Sequence, residues 1–217
     1  MTYLTFFIVL IGWIFSLCLH EFSHALVAYY GGDTTVRDKG YLTFNPLKYT
    51  HPVYSLLMPL IFLALGGIGL PGGAVYIESW RIRDRRWLSA VSLAGPSANF
   101  ILAVILGVLL SFTSLAQSSI APALAFLAYL QVTAFILNLI PLPPLDGFGI
   151  IAPYLNPDLR QNIARLGGSA ILIVFFIIWY VPFISNLFST ITLTMSMILG
   201  VPIPLASLGY NQFFFWK

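Results

Sequence analysis

Charged residues are scarce in this sequence. Ten Lys and Arg and seven Asp and Glu make up 8% of its 217 residues, about a third of the share in a typical soluble domain. Hydrophobic residues account for 59% and aromatic residues for 16%. So few charges cannot cover the surface of a soluble protein of this size, and a disordered chain is excluded because so many apolar residues would not stay solvated. The composition therefore predicts an integral membrane protein.

Cysteine, a basic face and a second domain are also lacking. Cys18 is the only cysteine, so no disulfide can form within the chain. The net charge of +3 is carried by few groups that form no basic surface, which excludes nucleic acid as a partner. The N-terminal residues have neither the basic start nor the cleavage site of a signal peptide. Residues 1–217 are therefore expected to form a single transmembrane domain.

Most of the charges lie in three clusters that delimit apolar runs. The clusters cover residues 33–48, 78–86 and 158–165, and a bilayer crossing takes about 20 helical residues. The runs predict five transmembrane helices and a shorter sixth piece, which is interrupted by Gly and Pro and is interfacial or spans half the membrane. Their expected bounds are 4–30, 53–70, 88–112, 121–140, 167–188 and, for the sixth piece, 189–203.

Two segments between the runs have the residue pattern of strands. Residues 34–44 alternate β-branched and aromatic side chains around Lys39-Gly40, which predicts a strand pair at the membrane surface. Residues 74–82 are a second candidate. The expected fold class is an all-α polytopic membrane protein with five to six transmembrane helices and a short membrane-surface β-hairpin.

The ionisable residues inside the apolar runs are the candidates for function, since such groups are costly in a membrane. His20, Glu21 and His24 lie together near the end of the first run. Residues i and i+4 share one helix face, so both histidines can reach one metal ion. Glu21 is turned about 100° round the helix from His20, where it can flank the metal without ligating it and act as a general base.

A structural interpretation of this pattern is a histidine pair that is only hydrogen-bonded to its neighbours. The five-residue pattern also occurs by chance in unrelated helices. Here, however, an ionisable triad in an apolar run needs partners that offset its desolvation. A zinc ion would provide them, and a catalytic zinc needs a third protein ligand and an open position for water.

Asp146 is the candidate for the third ligand. It follows the fourth apolar run without an evident charge partner, and Pro141, Pro143 and Pro144 precede it. The prolines break the helix, and non-helical backbone at membrane depth is tolerated where it lines a cavity or is buried in protein. The other interpretation is an ordinary proline-rich turn with a solvated aspartate.

Two motifs of the sequence resemble those of the site-2 protease family of intramembrane zinc metalloproteases. The first is His-Glu-Phe-Ser-His at residues 20–24. The second, Asn-Leu-Ile-Pro-Leu-Pro-Pro-Leu-Asp-Gly at residues 138–147, has every defining position of the family's Asn-x-x-Pro-x-Pro-x-Leu-Asp-Gly pattern. Residues 40–48 and 93–99 are similar to segments of the small bacterial and archaeal branch, which has no PDZ or nucleotide-binding appendage. The resemblance covers residues 10–155.

The resemblance implies a zinc site and the roles of its residues. It implies one Zn²⁺ per chain, with His20, His24 and Asp146 as ligands and Glu21 as the catalytic base. Asn138 is implied to orient the substrate or to stabilise the oxyanion. Asn99 is a secondary candidate for the site. An equally good interpretation is that its amide only packs between helices beside small residues.

The reaction implied is regulated intramembrane proteolysis, the hydrolysis of peptide bonds in or near transmembrane segments by a zinc metalloendopeptidase. The partners are then a transmembrane protein substrate and the lipid bilayer, in a multi-pass protein of a prokaryotic cell membrane, and a homo-oligomer is compatible with the sequence. Residues 34–44 are expected to hold an unwound substrate by β-addition. The alternatives are a transporter or ion-conducting protein with an intramembrane zinc or proton site, and a non-catalytic scaffold with a structural metal.

One position departs from the family branch that the chain resembles. His51 stands where that branch often has aspartate. We interpret it as a surface residue; a pH-sensitive group and an additional metal contact are the alternatives. Its role is not part of the expected active site.

Overall fold

A computed structural model describes residues 2–45, 48, 75–165, 167 and 169–216, and these residues are mainly helical. Most helices are separated by short loops that begin or end at Gly, Pro or a capping Asp or Asn. In chain order they are α1 (Thr2–Gly31), α2 (Thr35–Asp38), α3 (Arg85–Leu110), α4 (Thr113–Ala116), α5 (Ala121–Asn138), α6 (Asp146–Ile151), α7 (Pro157–Ala164), α8 (Ser169–Tyr180), α9 (Pro182–Ile198) and α10 (Ile203–Phe213). Two 3-10 turns, Ser79–Arg81 and Ala152–Tyr154, complete the described elements.

Three of the described helices, α1, α3 and α5, are long and apolar enough to cross a membrane. A fourth span results if α9 and α10, which meet at a bend of 117°, are counted together. Large apolar side chains such as Phe7 and Ile11 on α1 and Ile101 on α3 are exposed, as expected of helices that face lipid. The helical membrane protein predicted from composition is confirmed, and α1, α3 and α5 correspond to three of the predicted spans. The predicted span 53–70 and His51 lie outside the described residues.

Helices α1 and α3 are antiparallel neighbours joined at their surface ends. Gly32, with φ of 123°, follows the last residue of α1, a conformation that favours glycine. The Asp84 side chain accepts hydrogen bonds from the backbone N–H groups of Arg86 and Trp87 and caps the start of α3, which is a strong helix-start signal. The backbone N–H of Arg83 donates to the Gly31 carbonyl over 2.9 Å. The end of the motif-bearing helix is thereby fixed beside the start of its neighbour.

Helix α5 packs against both α1 and α3 and is covered by α10. One buried cluster joins Trp13 of α1, Phe126 of α5 and Phe213 of α10. A second cluster joins α3, α5 and α10 around Leu106 and Leu127. The three candidate spans therefore form one packed bundle, and the histidine motif faces its interior because His20, Glu21 and His24 are all buried.

The helices of the C-terminal part begin and end at other residues than the predicted spans. Residues 167–188 do not form one helix, because Val181 is extended and a new helix begins at Pro182. Proline suits the first position of a helix, where its missing N–H is not needed. Helix α9 then runs through most of the piece predicted at 189–203 and ends before Gly200, whose φ is 78°.

The predicted surface β-hairpin is also wrong. Residues 34–44 contain the short helix α2 and bends rather than strands. The reason is Asp33, whose Oδ1 accepts hydrogen bonds from the Thr35 N–H over 3.1 Å and the Thr35 hydroxyl over 2.6 Å; such local bonds favour a turn over a strand. Of the second candidate, 74–82, the described residues 75–78 form no strand and are followed by the 3-10 turn Ser79–Arg81. The edge strand expected to bind substrate is therefore not formed at 34–44.

Candidate metal centre

Three side chains from two distant parts of the sequence converge inside the bundle. The Nε2 atoms of His20 and His24 lie 3.0 Å apart. The Asp146 carboxylate faces both, with Oδ2 at 3.2 Å from His20 Nε2 and Oδ1 at 3.3 Å from His24 Nε2. Both histidines are buried. One ligand atom from each of the three residues therefore lies within 4.8 Å of the other two, which is the arrangement that a shared metal ion requires.

The other ring nitrogen of each histidine is held by a neighbouring group on α3. His24 Nδ1 lies 2.6 Å from the Val91 carbonyl oxygen, and His20 Nδ1 lies 3.2 Å from Oδ1 of Asn99. A carbonyl oxygen can only accept, so each Nδ1 carries the proton and donates. In a neutral ring the lone pair is then on Nε2. Both rings thus present Nε2 as a ligand atom, with their tautomers fixed by outer partners as in known metal sites.

The distances between the donors fit a zinc ion. Tetrahedral zinc binds nitrogen and carboxylate oxygen at about 2.0–2.1 Å, which places neighbouring ligand atoms about 3.3 Å apart. The histidine nitrogens lie 3.0 Å apart, and they lie 3.2 and 3.3 Å from two different oxygens of the Asp146 carboxylate. Two imidazoles and one carboxylate are also a donor set that catalytic zinc uses, with the fourth position left for water. The residues present therefore fit the metal that the sequence predicts.

Gly95 of α3 has no side chain and therefore leaves room beside the Nε2 atoms of His20 and His24. A Cβ atom at this position would overlap the Nε2 atoms of both His20 and His24. Any larger residue would occupy the side of the rings on which the ligand atoms converge. The absence of a side chain at Gly95 is therefore a requirement of the site and not only of helix packing.

Asp146 reaches the histidines because α6 lies directly against its neighbours. It is the first residue of α6, after the proline-rich turn that follows α5. The adjacent Gly147 approaches the carbonyl oxygens of Leu139 and Ile140 so closely that a Cβ would overlap them. The Ser89 hydroxyl of α3 donates to the Ile150 carbonyl of α6 over 2.7 Å. The turn and these contacts direct the carboxylate back into the bundle.

Glu21 is buried next to this centre but is not one of the converging donors. Its Oε2 accepts a hydrogen bond from the backbone N–H of Val75 over 3.2 Å. One oxygen of the Glu21 carboxylate is thus held by the main chain, and Glu21 is adjacent in sequence to His20. This arrangement suits a base that acts on water near a metal, rather than a fourth ligand.

The remaining predicted residues are placed differently. Asn138 is buried at the last residue of α5, and within the described contacts it forms no hydrogen bond with the donors or Glu21. Asn99 contacts His20 instead of lying free for substrate. Sequence reasoning missed the carbonyl of Val91 and the amide of Val75 because main-chain groups have no residue signature. Gly95 lies in the segment 93–99 that resembles the family, but the sequence assigned it no role in the site.

Replacement of Asn99 by leucine is expected to weaken zinc binding by about 10- to 100-fold, the usual effect of removing an outer partner of a ligand histidine. Leucine has a similar size but cannot accept the His20 Nδ1 proton. Competition with a coloured zinc chelator measures the affinity in detergent. Asn99→Asp, which keeps an acceptor, is the matched control and should retain tight binding; wild-type affinity in Asn99→Leu would contradict the assigned role.

Comparisons with known proteins agree with this centre. Residues 6–115 match the family model of Peptidase family M50. A Mycolicibacterium smegmatis protein named as the zinc metalloprotease Rip2 is 45% identical over 213 residues, which cover 98% of this chain and 82% of that protein. The Mycobacterium tuberculosis (H37Rv) protein of the same name is 41% identical over 216 residues, with the same coverage. YwhC of Bacillus subtilis, also named as a zinc metalloprotease, is 33% identical over 181 residues, or 78% of each chain.

No solved structure matches the chain. The family match includes the whole histidine motif, and the alignment with the mycobacterial relatives extends over 98% of the chain. The resemblance seen in the two sequence motifs is therefore confirmed. The chain belongs to peptidase family M50, the site-2 protease family of intramembrane zinc metalloproteases.

Proposed function

We propose that His20, His24 and Asp146 hold the single zinc ion of this protease and that Glu21 is its catalytic base. The observation that carries the proposal is the convergence of the three donor atoms within 4.8 Å of one another. Gly95 leaves the adjoining space free of side-chain atoms. Within the described residues this is the one group of three or more His, Cys, Asp or Glu residues that could hold a metal.

The metal and the protein residues have separate roles in the reaction at this centre. Zinc bound there supplies a Lewis acid that activates water and polarises a carbonyl group. The Glu21 carboxylate takes a proton from the attacking water and later delivers it to the leaving amine. Asn99 and the Val91 carbonyl keep the histidine rings oriented throughout. The bundle around the site is buried and apolar, which strengthens each of these electrostatic interactions.

Asn138 supplies a hydrogen-bond donor for the oxyanion in this proposal. The residue is 2% exposed at the C-terminal end of α5, at the start of the turn that leads to Asp146. A buried amide in a membrane interior is costly unless it finds a partner. The developing negative charge on the scissile carbonyl is such a partner.

The substrate is a transmembrane segment of another protein, and the enzyme is a multi-pass protein of a prokaryotic cell membrane. The exposed apolar faces of α1 and α3 support contact with lipid, and the relatives compared above are bacterial. Residues 1–217 act as one transmembrane metalloprotease domain, since the ligands come from α1 and α6 and their outer partners from α3.

Cleavage of a transmembrane substrate by the purified protein tests this function. In lipid nanodiscs, we expect a chelator to abolish cleavage and added zinc to restore it, because the three ligands hold an exchangeable ion. Mass spectrometry of the products should place the cut within or beside the apolar segment. Cleavage that persists in zinc-free protein, or that occurs only in soluble regions of the substrate, would contradict the proposal.

A further inference from the structure

Asp33 is a buried carboxylate just beyond the end of α1, where the histidine motif lies. It is 0% exposed. Its Oδ1 accepts from the N–H and the hydroxyl of Thr35, and its Oδ2 accepts from the backbone N–H of Glu78 over 2.8 Å. A buried charge is retained where it is fully hydrogen-bonded. Asp33 therefore ties the end of the active-site helix to a segment 45 residues further along the chain.

That segment, residues 75–78, forms neither a helix nor a strand and contacts Glu21 beside the metal centre. At one end its Glu78 amide is bound by Asp33, and at the other its Val75 amide donates to Oε2 of Glu21 over 3.2 Å. Between them, Lys39 donates from Nζ to the Tyr76 carbonyl over 3.3 Å. The segment thus connects Asp33 to the Glu21 carboxylate through the main chain of its four residues.

Packing along α1 holds the same segment in place. Val75 and Ile77 contact a buried cluster that includes Ala25 and Ala28 of α1. Just after the segment, the Arg81 carbonyl oxygen lies close to the backbone of Gly32. A Cβ atom at Gly32 would be only 2.6 Å from that oxygen. A close backbone approach of this kind is a common use of glycine.

The charged groups around Glu78 reinforce the attachment. Its carboxylate accepts from Arg81 Nε over 2.6 Å and from Lys39 Nζ over 2.9 Å. The hydrogen bonds from Arg81 and Lys39 lower the pKa of the Glu78 carboxyl to about 2. The group is therefore charged at neutral pH, and both cations stay paired with it.

We propose that Asp33 is a positioning residue for the reaction: by fixing residues 75–78 along α1, it directs the Val75 amide onto Glu21 and holds this carboxylate in the orientation that accepts the proton of water. The inference depends on the proposed role of Glu21 as the base. It assigns to Asp33 no contact with zinc or substrate. A change at Asp33 should consequently lower kcat while KM and zinc content remain close to those of the wild type.

Asp33→Asn is the first test, because asparagine has the same shape but replaces one accepting oxygen by a donor. We expect kcat to fall by about 10- to 100-fold, the usual cost of a small misplacement of a catalytic group. Asp38→Asn, the same change at an exposed position of α2, is the matched control and should keep the wild-type kcat. Hydrogen exchange should show faster exchange at amides 75–78 in Asp33→Asn and unchanged exchange in α1.

A double-mutant cycle separates positioning from a general loss of stability. Val75→Pro removes the N–H that contacts Glu21 and leaves Asp33 intact, and Val75→Ala, which keeps this N–H, is the control. If both residues act through one contact, Asp33→Asn and Val75→Pro together should lower kcat no more than the larger single effect, within about two-fold. Effects that multiply would overturn the proposal, and so would wild-type kcat in Asp33→Asn.

The two proposals fail in different ways. If Glu21 is not the base, Glu21→Gln retains activity, and this result does not depend on the effect of Asp33→Asn. If only the inference about Asp33 fails, Glu21→Gln is inactive while Asp33→Asn or Val75→Pro cleaves normally. Should Asp33→Asn fail to fold in the membrane, Val75→Pro alone still decides, because an unchanged kcat in that variant overturns the proposal and a loss of kcat with zinc retained supports it.

Discussion

Glu21→Gln is expected to leave zinc bound and to lower kcat by about 10²- to 10⁴-fold, the contribution of a general base. Glutamine keeps the size of the side chain and an oxygen that can accept the Val75 N–H, but it cannot take a proton from water. Because Glu21 is not among the three converging donors, zinc content should stay at one per chain. Single-turnover cleavage of a transmembrane substrate and metal analysis of the same sample measure both quantities.

Asp158→Asn serves as the control for this prediction. It also removes one carboxylate, but from an exposed position on α7, so cleavage and zinc content should match the wild type. Cleavage by Glu21→Gln within about ten-fold of the wild-type rate would show that another group supplies the base. Loss of zinc from that variant would instead show that Glu21 is a ligand.

Gly95→Ala is expected to remove zinc and activity together while the protein still folds. The added methyl group would overlap the Nε2 atoms of His20 and His24, so the ligand atoms could not converge on one ion. Alanine is a better helix former than glycine by about 1 kcal/mol, and α3 itself should therefore remain intact. Zinc analysis after purification and thermal unfolding of the same sample measure the two effects separately.

Gly12→Ala is a suitable control for this effect. Its methyl group would meet only the end of the Leu127 side chain, which can change rotamer at a modest cost. We expect this variant to bind one zinc ion and to cleave substrate. If Gly95→Ala bound zinc with wild-type affinity, the space beside the rings would not be needed for the metal, and the position of the site between α1 and α3 would be refuted.

The sequence was sufficient for the parts of the molecule that depend on periodicity and on rare residues. The spacing of His20 and His24 on one helix face and the carboxylate at Asp146 predicted three residues that the structure brings together. Long apolar runs predicted α1, α3 and α5. In each case the relevant physics is local, since it concerns one helix face or the length of one hydrophobic segment.

Other features depend on groups that a sequence pattern does not reveal. The alternation at 34–44 favoured strands, but the Asp33 side chain binds Thr35 and starts a helical turn instead. The apolar run around Pro182 was long enough for one helix, although proline begins a new one. The Val91 carbonyl and the Val75 amide contact His24 and Glu21 through main-chain atoms, which every residue possesses. Only the packing of distant segments identifies them.

The antiparallel register of α1 and α3 also restricts how the enzyme can open. Val91 and Asn99, which hold the two histidine rings, are separated on α3 by about 12 Å of helix axis. A slide of α3 by one helical turn, about 5.4 Å, would break both hydrogen bonds and carry Gly95 away from the rings. The two hydrogen bonds and the close approach at Gly95 therefore oppose any slide of one of these helices along the other.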